Sequence, residues 1–131
     1  MSMLDRVPAV RRIDTDRSDL FAFELVGEMT AADVENLYGL LEAAYALHPE
    51  IDLLARLVTL ESIDWPDVSR DTLSESRSEA RAHVRRCAVI GGSGLGAVDS
   101  LLSVARGGEI RRFDPEAEAE AWAWLEAQPT G

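Results

Sequence analysis

LFAFELVGEMTAADVENLYGLLEAAYALHPEIDLLARLVTL, residues 20–60, changes its apolar period twice, and those changes decide the fold. Residues 20–28 (LFAFELVGE) read as an extended segment rich in apolar and aromatic side chains. Val34, Leu37, Tyr38, Leu41 and Tyr45 then fall three and four apart, one apolar stripe of a helix. Thr30 suits the N-cap, Asp33 sits where a capping box wants an acid, and Pro49 closes the segment. Residues 53–60 (LLARLVTL) are almost continuously apolar, as a strand covered on both faces must be. Strand, helix and strand in this order form a crossover unit, right-handed by the twist of its strands, so the sheet is largely parallel.

Working outward, residues 9–16 (AVRRIDTD) form a second extended segment, joined to 20–28 by a polar turn at Arg17 and Ser18 that suits a hairpin. Beyond residue 60 a helix is expected from Pro66 to about His83, with a thin apolar face of Val68, Leu73, Ala80 and Val84. A buried strand follows at 86–91 (RCAVIG), then a helix carrying Val98, Leu101, Leu102 and Ala105 on one face and stopped by Gly107 and Gly108. Residues 109–114 (EIRRFD) alternate as an edge-like strand. PEAEAEAWAWLEAQ forms a terminal helix with Pro115 in its first turn, Ala121, Trp122 and Leu125 inward, and Trp124 at the margin. The expected architecture is α/β: one domain over residues 1–131, with a mixed, mostly parallel sheet of about five strands and four helices.

Composition removes several function classes. A net charge of −11 repels phosphate backbones, so nucleic acid is not an expected partner. All thirteen basic residues are arginine and look scattered, and the absence of lysine removes the P-loop lysine and Schiff-base chemistry. Cys87 is the only cysteine, and with His48 and His83 alone beside it no spacing matches a zinc or iron–sulfur site, so neither metal nor other cofactor is expected. No window is long and apolar enough for a membrane span, and MSMLDRVPAVRR lacks the apolar core of a signal peptide, so the expected location is the cytoplasm.

The glycine-rich turn CAVIGGSGLGAVDSLL (87–102) admits a nucleotide reading. Gly92-x-Gly94-x-x-Ala97 follows a strand and opens a helix, and Asp114 stands at the end of the next strand, where a ribose-binding acid belongs. Only one further strand and helix follow, too little to build a dinucleotide crevice, and a tight strand-to-helix turn explains the glycines equally well. Ser93-Gly94-Leu95-Gly96 is also similar to the Ser-Gly-Leu-Gly signature of anti-sigma-factor antagonists, although it follows a later strand than theirs.

Several stretches in order carry a wider resemblance: Phe23-Glu24-Leu25-Val26-Gly27, Met29-Thr30-Ala31-Ala32-Asp33, Arg56-Leu57-Val58, Val84 to Gly91, Ile110-Arg111-Arg112-Phe113-Asp114 and Ala121-Trp122-Ala123-Trp124-Leu125. Over about residues 9–127 the chain resembles the SpoIIAA-like group, small bacterial proteins related to the STAS domain and grouped in fold with CRAL-TRIO lipid-binding proteins. The resemblance implies a mixed five-stranded sheet with helices largely on one side and no catalytic role for the glycine turn. It also implies a candidate phospho-acceptor at Ser69, where Asp67-Val68-Ser69 is similar to the group's Asp-Ser-Ser, although Arg70 replaces the glycine that follows. Asp52, Asp64 and Asp67 read equally well as ligand-facing or as solvated loop acids.

The expectation is a non-enzymatic binding or regulatory domain. It holds a small apolar or lipid-like ligand, or a protein partner, between the thin helix and the carboxyl ends of the strands, with Trp65, Val68 and Leu73 in contact.

Overall fold

The computed structural model describes residues 10–63, 68–91 and 108–130. Five strands lie side by side in chain order: β1 (Val10–Ile13), β2 (Leu20–Met29), β3 (Ile51–Ile63), β4 (Val84–Ile90) and β5 (Glu109–Phe113). β1 runs antiparallel to β2, and the three remaining pairings are parallel. Helix α1 (Ala31–Leu47) connects β2 to β3 and α2 (Arg70–His83) connects β3 to β4. A single 3-10 turn (Pro115–Ala117) leads into α3 (Glu118–Trp124). The helix expected at 98–105, with Trp65, Gly92 and Gly94, lies outside the described residues, among which there are three α-helices.

Local chemistry explains the elements. Thr30 and Asp33 form the expected capping box: the Thr30 hydroxyl accepts from the Asp33 N–H at 3.2 Å, and Asp33 Oδ2 accepts from the Thr30 N–H at 2.9 Å. The hairpin turn is held by Thr15, whose hydroxyl accepts from the Arg17 N–H at 2.9 Å. Because strand side chains alternate, each central strand feeds two cores. Phe21, Phe23, Leu25, Leu53, Ala55, Cys87 and Val89 face α1 and α2. Leu20, Ala22, Leu54, Ala88 and Ile90 face α3, meeting Ala121, Trp122 and Leu125. The terminal helix therefore packs opposite α1 and α2, where a helix layer largely on one side was expected.

Of the boundaries that differ from expectation, two bear on the site. α2 starts at Arg70, after the N-cap Ser69, four residues later than the proline-based expectation. β3 begins at Ile51, two residues earlier than its apolar run, and this brings Asp52 into the sheet.

Candidate functional site

The expected ligand lies between α2 and the carboxyl ends of the strands, and on that face of the sheet α2 packs beside α1. α2 is polar along most of its length, with Asp71 in its first turn and Arg81 and His83 in its last, an arrangement that suits the helix dipole. Only Ser76 and Ala80 of α2 are buried. Val68, just before the N-cap, is buried in the core, and Leu73 is half-buried against it. A helix that buries only one serine and one alanine, with one leucine half-buried, loses little aliphatic contact when it lifts.

Beneath it lie the two tyrosines of α1. The Tyr45 ring stacks on His83, centroids 4.8 Å apart and planes 19° from parallel, and the Nδ1–H of His83 donates to the carbonyl of Pro49 at 2.7 Å. The Tyr45 hydroxyl is buried and has no hydrogen-bond partner. Burial, with Glu79 as the next cause, holds its acidity well below that of an ordinary phenol. Burial also pushes the Tyr38 hydroxyl up to about 12, against the pull of Arg77. The seam is thus an apolar layer with a polar atom left open at one end.

The opposite face holds a feature the sequence reading did not assemble. Asp52 is fully buried, so it is no solvated loop acid, and it lies at the amino end of β3. Arg86 Nη2, Arg17 Nη1 and Arg85 Nη2 donate to its Oδ2 at 2.8, 2.9 and 3.2 Å. Burial pushes the Asp52 carboxyl up, but the hydrogen bonds from Arg86, Arg17 and Arg85 outweigh it and hold it below the usual carboxylate range. Arg86 Nη1 also donates to the carbonyl of Trp124 at 2.8 Å, and Arg17 to that of Leu125, so these two arginines satisfy the open carbonyls at the end of α3. A second bridge runs from Glu24 through Arg56 to Glu118, whose Oε2 also accepts from Trp122 Nε1 at 3.0 Å. Both Asp52 carboxylate oxygens accept from arginine side chains. The node is a clamp for α3, built from residues far apart in sequence.

The remaining candidates separate. Asp114 is exposed at the carboxyl end of β5 and pairs with Arg112 at 3.0 Å. Gly91 takes φ +132°, and a Cβ there would stand 2.9 Å from the Leu57 carbonyl oxygen, so the first glycine of the turn serves close packing of β4 on β3. Ser69 is exposed, its hydroxyl accepting from the Thr72 N–H at 3.4 Å. Cys87 is buried. Among the described residues no three His, Cys, Asp or Glu side chains gather as metal ligands, and no helix is long and apolar enough to cross a membrane. A cleft of about 110 Å³ lies between the end of α1 and β2, beside exposed Leu47. That volume suits one side chain, well short of the several hundred Å³ of a small-molecule site.

Among the described residues, a mixed five-stranded sheet with two helices on one face and a clamped helix on the other defines a small α/β domain. The chain belongs to the SpoIIAA-like family, whose model matches residues 20–126. It is similar in structure to an uncharacterised protein from Shewanella loihica PV-4 with a SpoIIAA-like fold, at 24% identity and a TM-score of 0.63, over 92% of this chain and 98% of that one. No curated protein matches.

Proposed function

We propose that this domain is a non-enzymatic, cytoplasmic binding module that takes a small apolar or lipid-like ligand between α2 and the sheet. The observation that carries the reading is the thin attachment of α2, which buries only Ser76 and Ala80, with Leu73 half-buried and His83 stacked on Tyr45 at its last turn. A cover attached so lightly can lift and admit a ligand at small cost, while the clamped α3 keeps the other face closed. Val68 and Leu73 lie at the start of that seam. Titration with a medium-chain fatty acid ester, followed by amide shifts, tests it. Saturable shifts along the α2 seam, Val68, Leu73, Ser76 and Ala80 among them, are expected; shifts confined to α3 and β5 would contradict it.

A second reading concerns regulation of the same helix. Ser69 is exposed at the N-cap of α2, where a phosphate would meet free N–H groups and the positive end of the helix dipole. Phosphorylation there would tighten the first turn of the cover. Incubation with a bacterial serine kinase, comparing the protein with Ser69→Ala, tests this: incorporation lost in the variant is expected, and unchanged incorporation would dismiss it.

A further inference from the structure

A buried hydroxyl without a partner forfeits a hydrogen bond that water would supply in the unfolded chain, at a cost of about 1–3 kcal/mol, and folded proteins rarely leave one so. Tyr45 is such a group: the residue is 9% exposed and its hydroxyl is unpartnered within the core. It lies under the last turns of α2, against His83, whereas Val68 and Leu73 lie at the other end of the same helix. From Leu73 to His83 the helix rises roughly 15 Å, about the extended length of a medium acyl chain.

We propose that the Tyr45 hydroxyl is the polar anchor of the apolar ligand, and that the ligand's head is a neutral hydrogen-bond acceptor such as an ester or ketone carbonyl. This rests on the reading that the α2 seam is the binding site. The surroundings of the hydroxyl select the charge of the head. Beyond burial, the charges that act on the Tyr45 hydroxyl are all of one sign: Glu79 from α2 first, then Cys87 from β4, Tyr38 and Glu42 from α1, each disfavouring negative charge there. His83 lies flat against the ring and its Nδ1–H is committed to Pro49, so it does not aim a proton at the hydroxyl. Arg77 acts on Tyr38, one α1 turn pair away. A carboxylate or phosphate head at Tyr45 would meet like charge from Glu79 and Glu42 and lose its hydration, with no cation acting on the hydroxyl among the described residues, which buried anions do not tolerate. A neutral carbonyl takes the one donor on offer and leaves nothing uncompensated.

The test compares methyl laurate with laurate at neutral pH on the full chain and on Tyr45→Phe, with binding read by native mass spectrometry and located by amide shifts at Tyr45, Ser76 and Ala80. Methyl laurate is expected to bind at least about tenfold tighter than laurate, and Tyr45→Phe to remove about that factor, roughly 1.4 kcal/mol, for the ester alone. Laurate binding as tightly as its ester, or ester binding unchanged in Tyr45→Phe, would overturn the assignment of the head group while the seam still binds an apolar chain. Binding of neither probe would overturn the seam reading together with this inference.

Discussion

Arg86 reaches from β4 to the buried carboxylate of Asp52, 2.8 Å away, and its other amino group holds the carbonyl of Trp124. One side chain thus joins the sheet to the end of α3. With Arg17 it turns a short helix, which could not persist alone, into a fixed wall of the second core.

Removing the carboxylate takes from Arg17, Arg85 and Arg86 their shared buried partner. Asp52→Asn should lower unfolding stability by about 3–5 kcal/mol, as the breaking of a buried ion pair does. Asp19→Asn, which removes a half-exposed partner of Arg17, should cost less than about 1 kcal/mol. Urea unfolding of the two variants checks the contrast; equal losses would show that Asp52 does not organise the clamp.

The same carboxyl sets an acid limb. Its folded acidity lies below the unfolded value, so its contribution to stability is complete above about pH 4 and is lost as pH falls through the lower folded value. Stability of the wild type should therefore drop with acid more steeply than that of Asp52→Asn. Parallel slopes between pH 5 and 2 would assign the acid sensitivity elsewhere.

Two glycines should respond with opposite signs. Gly91→Ala places a Cβ 2.9 Å from the Leu57 carbonyl oxygen at φ +132°, and should cost about 1–3 kcal/mol or more. Gly39, exposed in the middle of α1, has nothing within 4 Å of its would-be Cβ, so Gly39→Ala should stabilise by about 1 kcal/mol. Thermal unfolding of both variants decides; destabilisation by Gly39→Ala would mean that the helix needs its glycine.

Tyr45→Phe removes a hydroxyl that makes no hydrogen bond in the free protein, so apo stability should hold or rise by about 1 kcal/mol. A loss above 1 kcal/mol, measured by denaturant unfolding, would show that the hydroxyl is satisfied in the free protein and is not waiting for a ligand.

Much of the fold was legible because its signals are local. Thr30 and Asp33 announce α1, its stripe of Val34, Leu37, Tyr38, Leu41 and Tyr45 is buried as the spacing predicts, and Ala121, Trp122 and Leu125 turn inward with Trp124 at the margin. The side taken by α3 was not legible. α3 follows the last strand and never returns to the sheet, so no crossover handedness constrains it. The Asp52 clamp was hidden for another reason. Pro49 and Glu50 make the next residues look like loop, and Arg17, Arg85 and Arg86 meet Asp52 only once the β3–β4 register sets Asp52 beside Arg86. The signal was the Arg85-Arg86 pair at the start of β4, readable only with that register in hand. The unpaired Tyr45 hydroxyl had no sequence signal, since an apolar stripe contains tyrosine whether or not its oxygen finds a partner.

The central claim is that α2 covers a site for an apolar ligand, and native mass spectrometry of the gently purified protein, alone and after exposure to mixed neutral lipids, tests it most directly. A saturable adduct of acyl-chain mass that is lost in Leu73→Glu, with the variant's fold retained by circular dichroism, is the predicted result. A bare protein under the same conditions, or an adduct indifferent to Leu73→Glu, would contradict it.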